Sequence, residues 1–265
     1  MRADLVAAVL KERIPANLPE EVRETLQKYV REICTIFGDR LAGVILYGSA
    51  ARGEFLPGRS NLNVLVLLVE HDLDLLRRYA KIHRRWSPEK LVVPLFLTER
   101  DIQTSHNLFP LEYIEIKEHH VLLSGHDPFP LLTIEIDHLA WQCHQDILGN
   151  LLRLRQRFVE GHGKPDALAM LLPLSLTTLL PGLRAHYRIR GIAVPPTTAA
   201  LLDDLGARFG IDTTALMDVW NLKKGVMTPG PVEVPRLFER YVADLQALAE
   251  WAHAHAQSQT SIRSR

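Results

Sequence analysis

The sequence predicts an α/β (α+β) domain followed by an all-helical bundle, and three observations carry this expectation. Strand and helix patterns alternate over the first half, strand signals nearly vanish from about Ile134, and turn residues cluster at Gly125-His126-Asp127-Pro128 before the change. The expected domains are 1–126 and 127–258, with a frayed tail at 259–265.

Each element has its own signal. Asn17 can cap a helix that opens with Pro19-Glu20-Glu21, runs through Val22, Leu26, Tyr29, Ile33 and Phe37, and stops at Gly38. Leu41 to Tyr47 reads as a β-branched apolar strand, Asn63 to Val69 as a second and Leu91 to Leu97 as a third. Between the last two, Asp72 to Trp86 spaces Leu73, Leu76, Tyr79, Ala80 and His83 along one helical face. Continuous apolar runs predict strands covered by helices on at least one face. In the second half helices are expected over 137–160, 165–190, 197–209, 213–224 and 234–256. Gly161-His162-Gly163, Pro195-Pro196 and Thr228-Pro229-Gly230-Pro231 punctuate them.

Composition narrows the function classes. Thirty-one basic residues balance thirty-one acidic ones, so no global field recruits nucleic acid or an anionic membrane. Cys34 and Cys143 are too few and too far apart for a disulfide framework or a cysteine-rich zinc site, and a reducing cytoplasm is the expected compartment. Met1-Arg2-Ala3-Asp4 does not begin a secretory leader. The most apolar window, Ala167 to Leu183, is shorter than a bilayer span and contains Pro173 and Pro181, so a buried central helix is expected and no membrane partner.

The chemistry concentrates between Gly43 and Val66. The apolar strand Gly43-Val44-Ile45-Leu46-Tyr47 ends at Gly48-Ser49, and Ala50-Ala51-Arg52-Gly53-Glu54 can begin a helix with outward-facing amides. Gly48 lets an anion approach the backbone, Ser49 offers a hydroxyl, Arg52 supplies a cation one turn in, and Gly53 completes the loop. Together they predict a nucleotide or phosphate cradle.

This segment resembles the polymerase-β-like nucleotidyltransferase superfamily, above all its minimal and aminoglycoside branches. The family pattern is an apolar strand, Gly-Ser, a gap of some ten residues and an Asp-x-Asp opening the next strand. Gly48-Ser49 to Asn61-Leu62-Asn63 reproduces that order and spacing. The resemblance covers residues 35–100 by motif and the rest in general plan, since many relatives append a helical bundle. It implies two magnesium ions held by the Asp pair and by a third acid on a later strand. Here Asn61 and Asn63 occupy the catalytic pair's positions, and Leu91 to Leu97 contains no acid. An amide oxygen can ligate a hard cation, but two carboxylate charges that offset its dehydration are gone. Magnesium is thus the family's cofactor but poorly supported by these residues. Glu89, Glu99 and Asp101 flank the third strand and read as terminal charges.

Three functional readings are open on the sequence. The first is a degenerate transferase that binds a nucleotide or other phosphate-bearing ligand. The second is a working nucleotidyltransferase acting on a small molecule, RNA or protein hydroxyl, with unusual metal ligands or with Asn61 and Asn63 introduced as Asp-to-Asn substitutions. The third is a noncatalytic scaffold whose helical domain binds a protein. A homodimer is plausible by family analogy and from the aromatic-rich bundle.

Other residues have ordinary readings. Glu118-His119-His120 has metal-ligand types, but neighbours on a strand face opposite ways. Arg157 and His162 fit the Arg-x4-His spacing of HEPN ribonucleases, a short match at a helix end. Trp141, Trp220 and Trp251 read as core or interface anchors. Arg153, Arg155 and Arg157, with Arg184, Arg188 and Arg190, are expected to form two solvated basic faces, with RNA contact as the alternative. By the family's plan, Glu112 and Glu115 are candidates for acceptor recognition.

Overall fold

The computed structural model describes residues 10 and 12–263, which fall into two compact units. Unit 1 runs to Leu108 and resumes from Glu112 to Thr133; unit 2 comprises Phe109–Leu111 and everything from Ile134.

Unit 1 is a four-stranded mixed sheet with helices. Its elements are α1 (Glu20–Phe37), β1 (Leu41–Tyr47), α2 (Ser49–Arg52), β2 (Asn63–Leu68), α3 (Leu73–Trp86), β3 (Leu95–Thr98), α4 (Glu99–Ser105), α5 (Pro110–Glu118, its first turn counted with unit 2) and β4 (His120–Gly125). The strand order is β3-β2-β1-β4. β1 is antiparallel to both β2 and β4, while β2 and β3 run parallel, so the β2–β3 crossover is made by α3.

Side-chain alternation sorts the sheet's two faces. Val44, Leu46, Val64, Val66 and Leu68 pack with Leu26, Tyr29, Val30 and Ile33 of α1 and with Leu75 and Tyr79 of α3. Ile45, Leu65 and Leu67 point the other way and are equally buried. α1 begins at Pro19 rather than being capped by Asn17, whose amide instead lies beside Gly53. Asp72 caps α3 by accepting from the amides of Asp74 and Leu75.

Two expectations need correction. The third strand is not continuous over Leu91 to Leu97. Leu91 makes an isolated parallel bridge to Leu62, and regular pairing resumes only at Leu95, because Pro94 has no amide to donate. Residues 126–133 continue unit 1 past the turn cluster at 125–128: Asp127 accepts from the Phe129 amide, and Phe129 is buried.

Unit 2 is helical: α6 (Ile136–Glu160), α7 (Pro165–Ile189), α8 (Thr198–Phe209), α9 (Thr214–Lys224) and α10 (Glu233–Arg263). α10 runs on past Gln257, so the tail expected to fray is helical to Arg263. α7 is long and apolar enough to cross a membrane by length and composition, but Leu168, Leu172, Leu176, Leu179 and Leu183 are buried within the unit. Its two internal prolines leave it a single helix, with the Thr177 hydroxyl donating to the Pro173 carbonyl.

Buried polar groups tie three of these helices. Asn150 of α6 donates to the Ser175 carbonyl (2.9 Å) and to the Thr178 hydroxyl (2.8 Å) of α7. The Ser175 hydroxyl returns a bond to Asn150 Oδ1 at 2.6 Å and lies 3.1 Å from the Tyr241 hydroxyl of α10. Arg184 is buried and donates to Thr198, while Arg190 stacks over Phe209. The expected second basic face, Arg184 with Arg188 and Arg190, therefore does not exist as a solvated surface.

Candidate functional site

The site begins where β1 stops. Gly48 has φ 77° and ψ −151°, a conformation that only glycine adopts without strain, and it turns the chain sharply off the sheet. Ser49 to Arg52 then make a single helical turn, closed by Gly53 in the left-handed region and by the Glu54 amide donating to the Ser49 carbonyl. One turn of four residues has a weak dipole, so any anion here must rely on the Gly48-Ser49 backbone and hydroxyl rather than on a long helix. The following loop is tied by Ser60, whose hydroxyl accepts from the Leu56 amide at 3.0 Å.

Pairing brings Asn63 to this turn. Tyr47 is opposite Asn63 on one side and opposite His120 on the other, so these three side chains lie in a row on one sheet face. A Cβ on Gly48 would sit 2.7 Å from Asn63 Nδ2, so the amide rests directly against the glycine. Asn61 precedes the strand and is exposed. Burial raises the Tyr47 phenol to about 12, keeping it neutral.

Arg52, the cation expected to serve the cradle, is paired with carboxylates of its own unit. Its guanidinium donates to Glu115 Oε2 at 2.6 Å and lies 3.4 Å from Glu54 Oε2, with all three side chains largely buried. Its charge is met within the protein, and Glu115 is accordingly a partner of the loop. Glu112 is exposed on α5.

The three acids that flank the third strand, Glu89, Glu99 and Asp101, are engaged elsewhere in unit 1. The chain level with Asn63 on that side is Val92-Val93, which precedes β3 and lies between the Leu62–Leu91 bridge and the Leu65–Leu95 pair. Glu89 lines a cavity of about 280 Å³ with Val22, Phe55 and Leu62, and Leu62 alternates with Asn63 along the chain and packs with α1 on the opposite face. Glu99 pairs with His126. Asp101 forms a capping box with Thr98 and pairs with His71. Burial opposes ionisation of Asp101, but these hydrogen bonds outweigh it and hold the carboxyl below its usual range.

No group of three or more His, Cys, Asp or Glu side chains that could hold a metal ion occurs among the described residues. The residues present therefore do not fit a two-magnesium centre. Glu118, His119 and His120 do not converge on a common point either. His120 Nε2 is 2.9 Å from Asp127 and its Nδ1 2.8 Å from the Ile116 carbonyl. In unit 2, Arg157 pairs with Glu160, and His162 is exposed at φ 53° in the following loop. Trp220 is buried and Trp141 exposed; the Trp251 side chain lies outside the described residues.

The sequence gives no hint of the Arg52–Glu115 pair or of the Asn63–Tyr47–His120 row. Both depend on long-range pairing, and no alternation in β4 marks His120 as the neighbour of Tyr47.

Residues 26–123 match the family model described as a nucleotidyltransferase domain. A solved structure with the same fold is spectinomycin adenyltransferase AAD(9) from Enterococcus faecialis with ATP and spectinomycin; it shares 10% identity at TM-score 0.50, covering 84% of this chain and 98% of that one. The curated proteins contain no match. Residues 26–123 thus match a nucleotidyltransferase domain, and a largely helical region follows them.

Proposed function

We propose that the N-terminal unit binds a nucleotide through the Gly48-Ser49 turn without carrying out metal-dependent nucleotidyl transfer. One observation carries the reading: Asn63 packs an uncharged amide against Gly48, and the neighbouring strand carries no carboxylate level with it. Transfer of a nucleotidyl group depends on metals to neutralise charge that develops on the phosphates. Without carboxylates to gather those metals, the site retains shape and hydrogen-bond donors but not the charge that chemistry needs. Gly48 and Ser49 meet the phosphates, Gly53 closes the turn, and Arg52 holds the turn in place through Glu115 and Glu54. The two free cysteines fit a reducing compartment such as the cytoplasm.

ATP, the nucleotide recorded with AAD(9), is the first ligand to test. Calorimetric titration with ATP, GTP, CTP and UTP, with and without magnesium, is expected to give saturable binding that magnesium helps little and that Ser49→Ala weakens. Magnesium-dependent binding accompanied by release of pyrophosphate would sink the proposal in favour of an active transferase. The absence of any binding would leave the fold as a scaffold.

A further inference from the structure

Three half-buried polar side chains beside the Gly48-Ser49 turn have no hydrogen-bond partner among the described residues: the Tyr47 hydroxyl, the Ser49 hydroxyl and the Asn63 amide. Neighbouring polar groups of unit 1 are satisfied at close range. Tyr29 shares its hydroxyl with Tyr79 at 3.1 Å and Tyr113 with Ser105 at 2.7 Å, while the Ser60 hydroxyl ties its own loop. Tyr47 differs, because burial alone raises its phenol, with no hydrogen bond and no charge contributing. Half-buried polar groups left this way cost stability unless water or a ligand completes them.

The three groups converge on one place. Tyr47 and Asn63 stand directly opposite each other in the β1–β2 ladder, so their side chains leave the same sheet face about 5 Å apart. That face is the one turned away from α1. Gly48 follows Tyr47, and a Cβ on it would meet Asn63 Nδ2 at 2.7 Å, so the amide lies against the turn that Ser49 continues. The charged neighbours are already occupied. His120 has Nδ1 on the Ile116 carbonyl and Nε2 on Asp127, and Arg52 is held by Glu115 and Glu54.

What stays open at the turn is thus a set of uncharged groups able to donate. A phenol pushed up to about 12 is a hydrogen-bond donor rather than a base. Phosphate oxygens accept only, and they bind such donors well. A metal ion gains no charge from a phenol or an amide to offset its dehydration.

Resting on the nucleotide reading above, we infer that the Tyr47 hydroxyl and the Asn63 amide donate directly to the phosphate oxygens of the ligand at Gly48-Ser49. The nucleotide is then held as a bare phosphate, with no metal ion between it and the sheet.

Calorimetric titration of the full chain with ATP, first with magnesium chelated and then with magnesium supplied, tests this. Tyr47→Phe removes one oxygen and should weaken ATP binding about fivefold, the worth of one neutral hydrogen bond. It should leave the thermal midpoint of the unliganded protein unchanged, since that hydroxyl has no protein partner to lose. Tyr113→Phe, which takes a hydroxyl from Ser105, should do the reverse, lowering the midpoint and keeping the affinity. Asn63→Asp turns a donor into a carboxylate and should weaken magnesium-free binding by more than about tenfold, with magnesium restoring part of the loss. Wild-type affinity or a lowered midpoint in Tyr47→Phe would overturn the inference, as would undiminished magnesium-free binding by Asn63→Asp. If Ser49→Ala weakens ATP binding and Tyr47→Phe does not, the nucleotide reading stands and the role of Tyr47 falls; if the wild type takes up no nucleotide, both fall.

Discussion

The Arg52 guanidinium meets Glu115 at 2.6 Å across 63 residues of sequence, fastening the turn after β1 to helix α5. Glu54 lies 3.4 Å away in the same three-residue cluster, so one cation serves two carboxylates. A cation held this way ties the loop to the helix.

Arg52→Ala is therefore expected to act on stability first. It leaves two largely buried carboxylates without their cation, and breaking a buried pair from one side costs about 3 kcal/mol. Removing both main partners together, as Arg52→Met with Glu115→Leu, should cost clearly less. Urea unfolding of the two variants measures the difference, and equal losses would refute the pairing as the cause.

Gly48→Ala should also destabilise the fold, by about 1–3 kcal/mol, because its φ 77°, ψ −151° backbone is strained for any residue with a Cβ. The new methyl would also lie 2.7 Å from Asn63 Nδ2. Adding Asn63→Ala relieves the contact but not the backbone, so only part of the loss should return. Full recovery in thermal melts of the double variant would show that crowding alone was at work.

Asp244 offers a pH test in the helical unit. Burial, reinforced by Asp212, raises its carboxyl from 3.8 to about 6. The folded state thus binds this proton more tightly than the unfolded state, and its contribution to stability declines as pH rises from about 4 to 6. Above that window Asp244→Asn should gain on the order of 1 kcal/mol, and below it the gain should vanish. Chemical denaturation at pH 7.5 and pH 4, values that bracket the window, distinguishes this from a pH-independent effect.

The two thiols should differ in reactivity. Cys143 is buried, donates to the Gly182 carbonyl at 3.1 Å and is pushed far above the usual thiol range by desolvation. Cys34 is half-buried, and burial raises it too. A disulfide reagent should modify Cys34 slowly in the native protein and Cys143 only on unfolding. Equal native rates would contradict the buried environment of Cys143.

Much of unit 1 was legible because its signals are local. Continuous apolar, β-branched runs mark β1 and the start of β2 at Asn63, Asp72 marks the start of α3, and Gly48-Ser49 announces the turn. The unread parts are set by distant contacts. β4 is a six-residue strand following a helix of almost no amphipathicity, so its place beside β1 comes from pairing rather than pattern. The Leu91 to Leu97 run looked continuous by hydropathy, which is blind to the missing amide of Pro94. Arg184 read as a surface charge, since one-dimensional spacing does not reveal that the last turns of α7 are enclosed on nearly all sides.

The Asn150–Ser175–Tyr241 cluster bears on how far the helical unit can change shape. Apolar side chains tolerate sliding, because one methyl contact replaces another at little loss. A buried amide and two hydroxyls do not, since a shift of α6 by a single residue against α7 would strand all three away from water. The helices thus have one admissible alignment, and small rearrangements at either end of the unit must be absorbed by the loops. The Gly161–Gly163 connection, with backbone at φ 53° and 63°, is where such adjustment is cheapest.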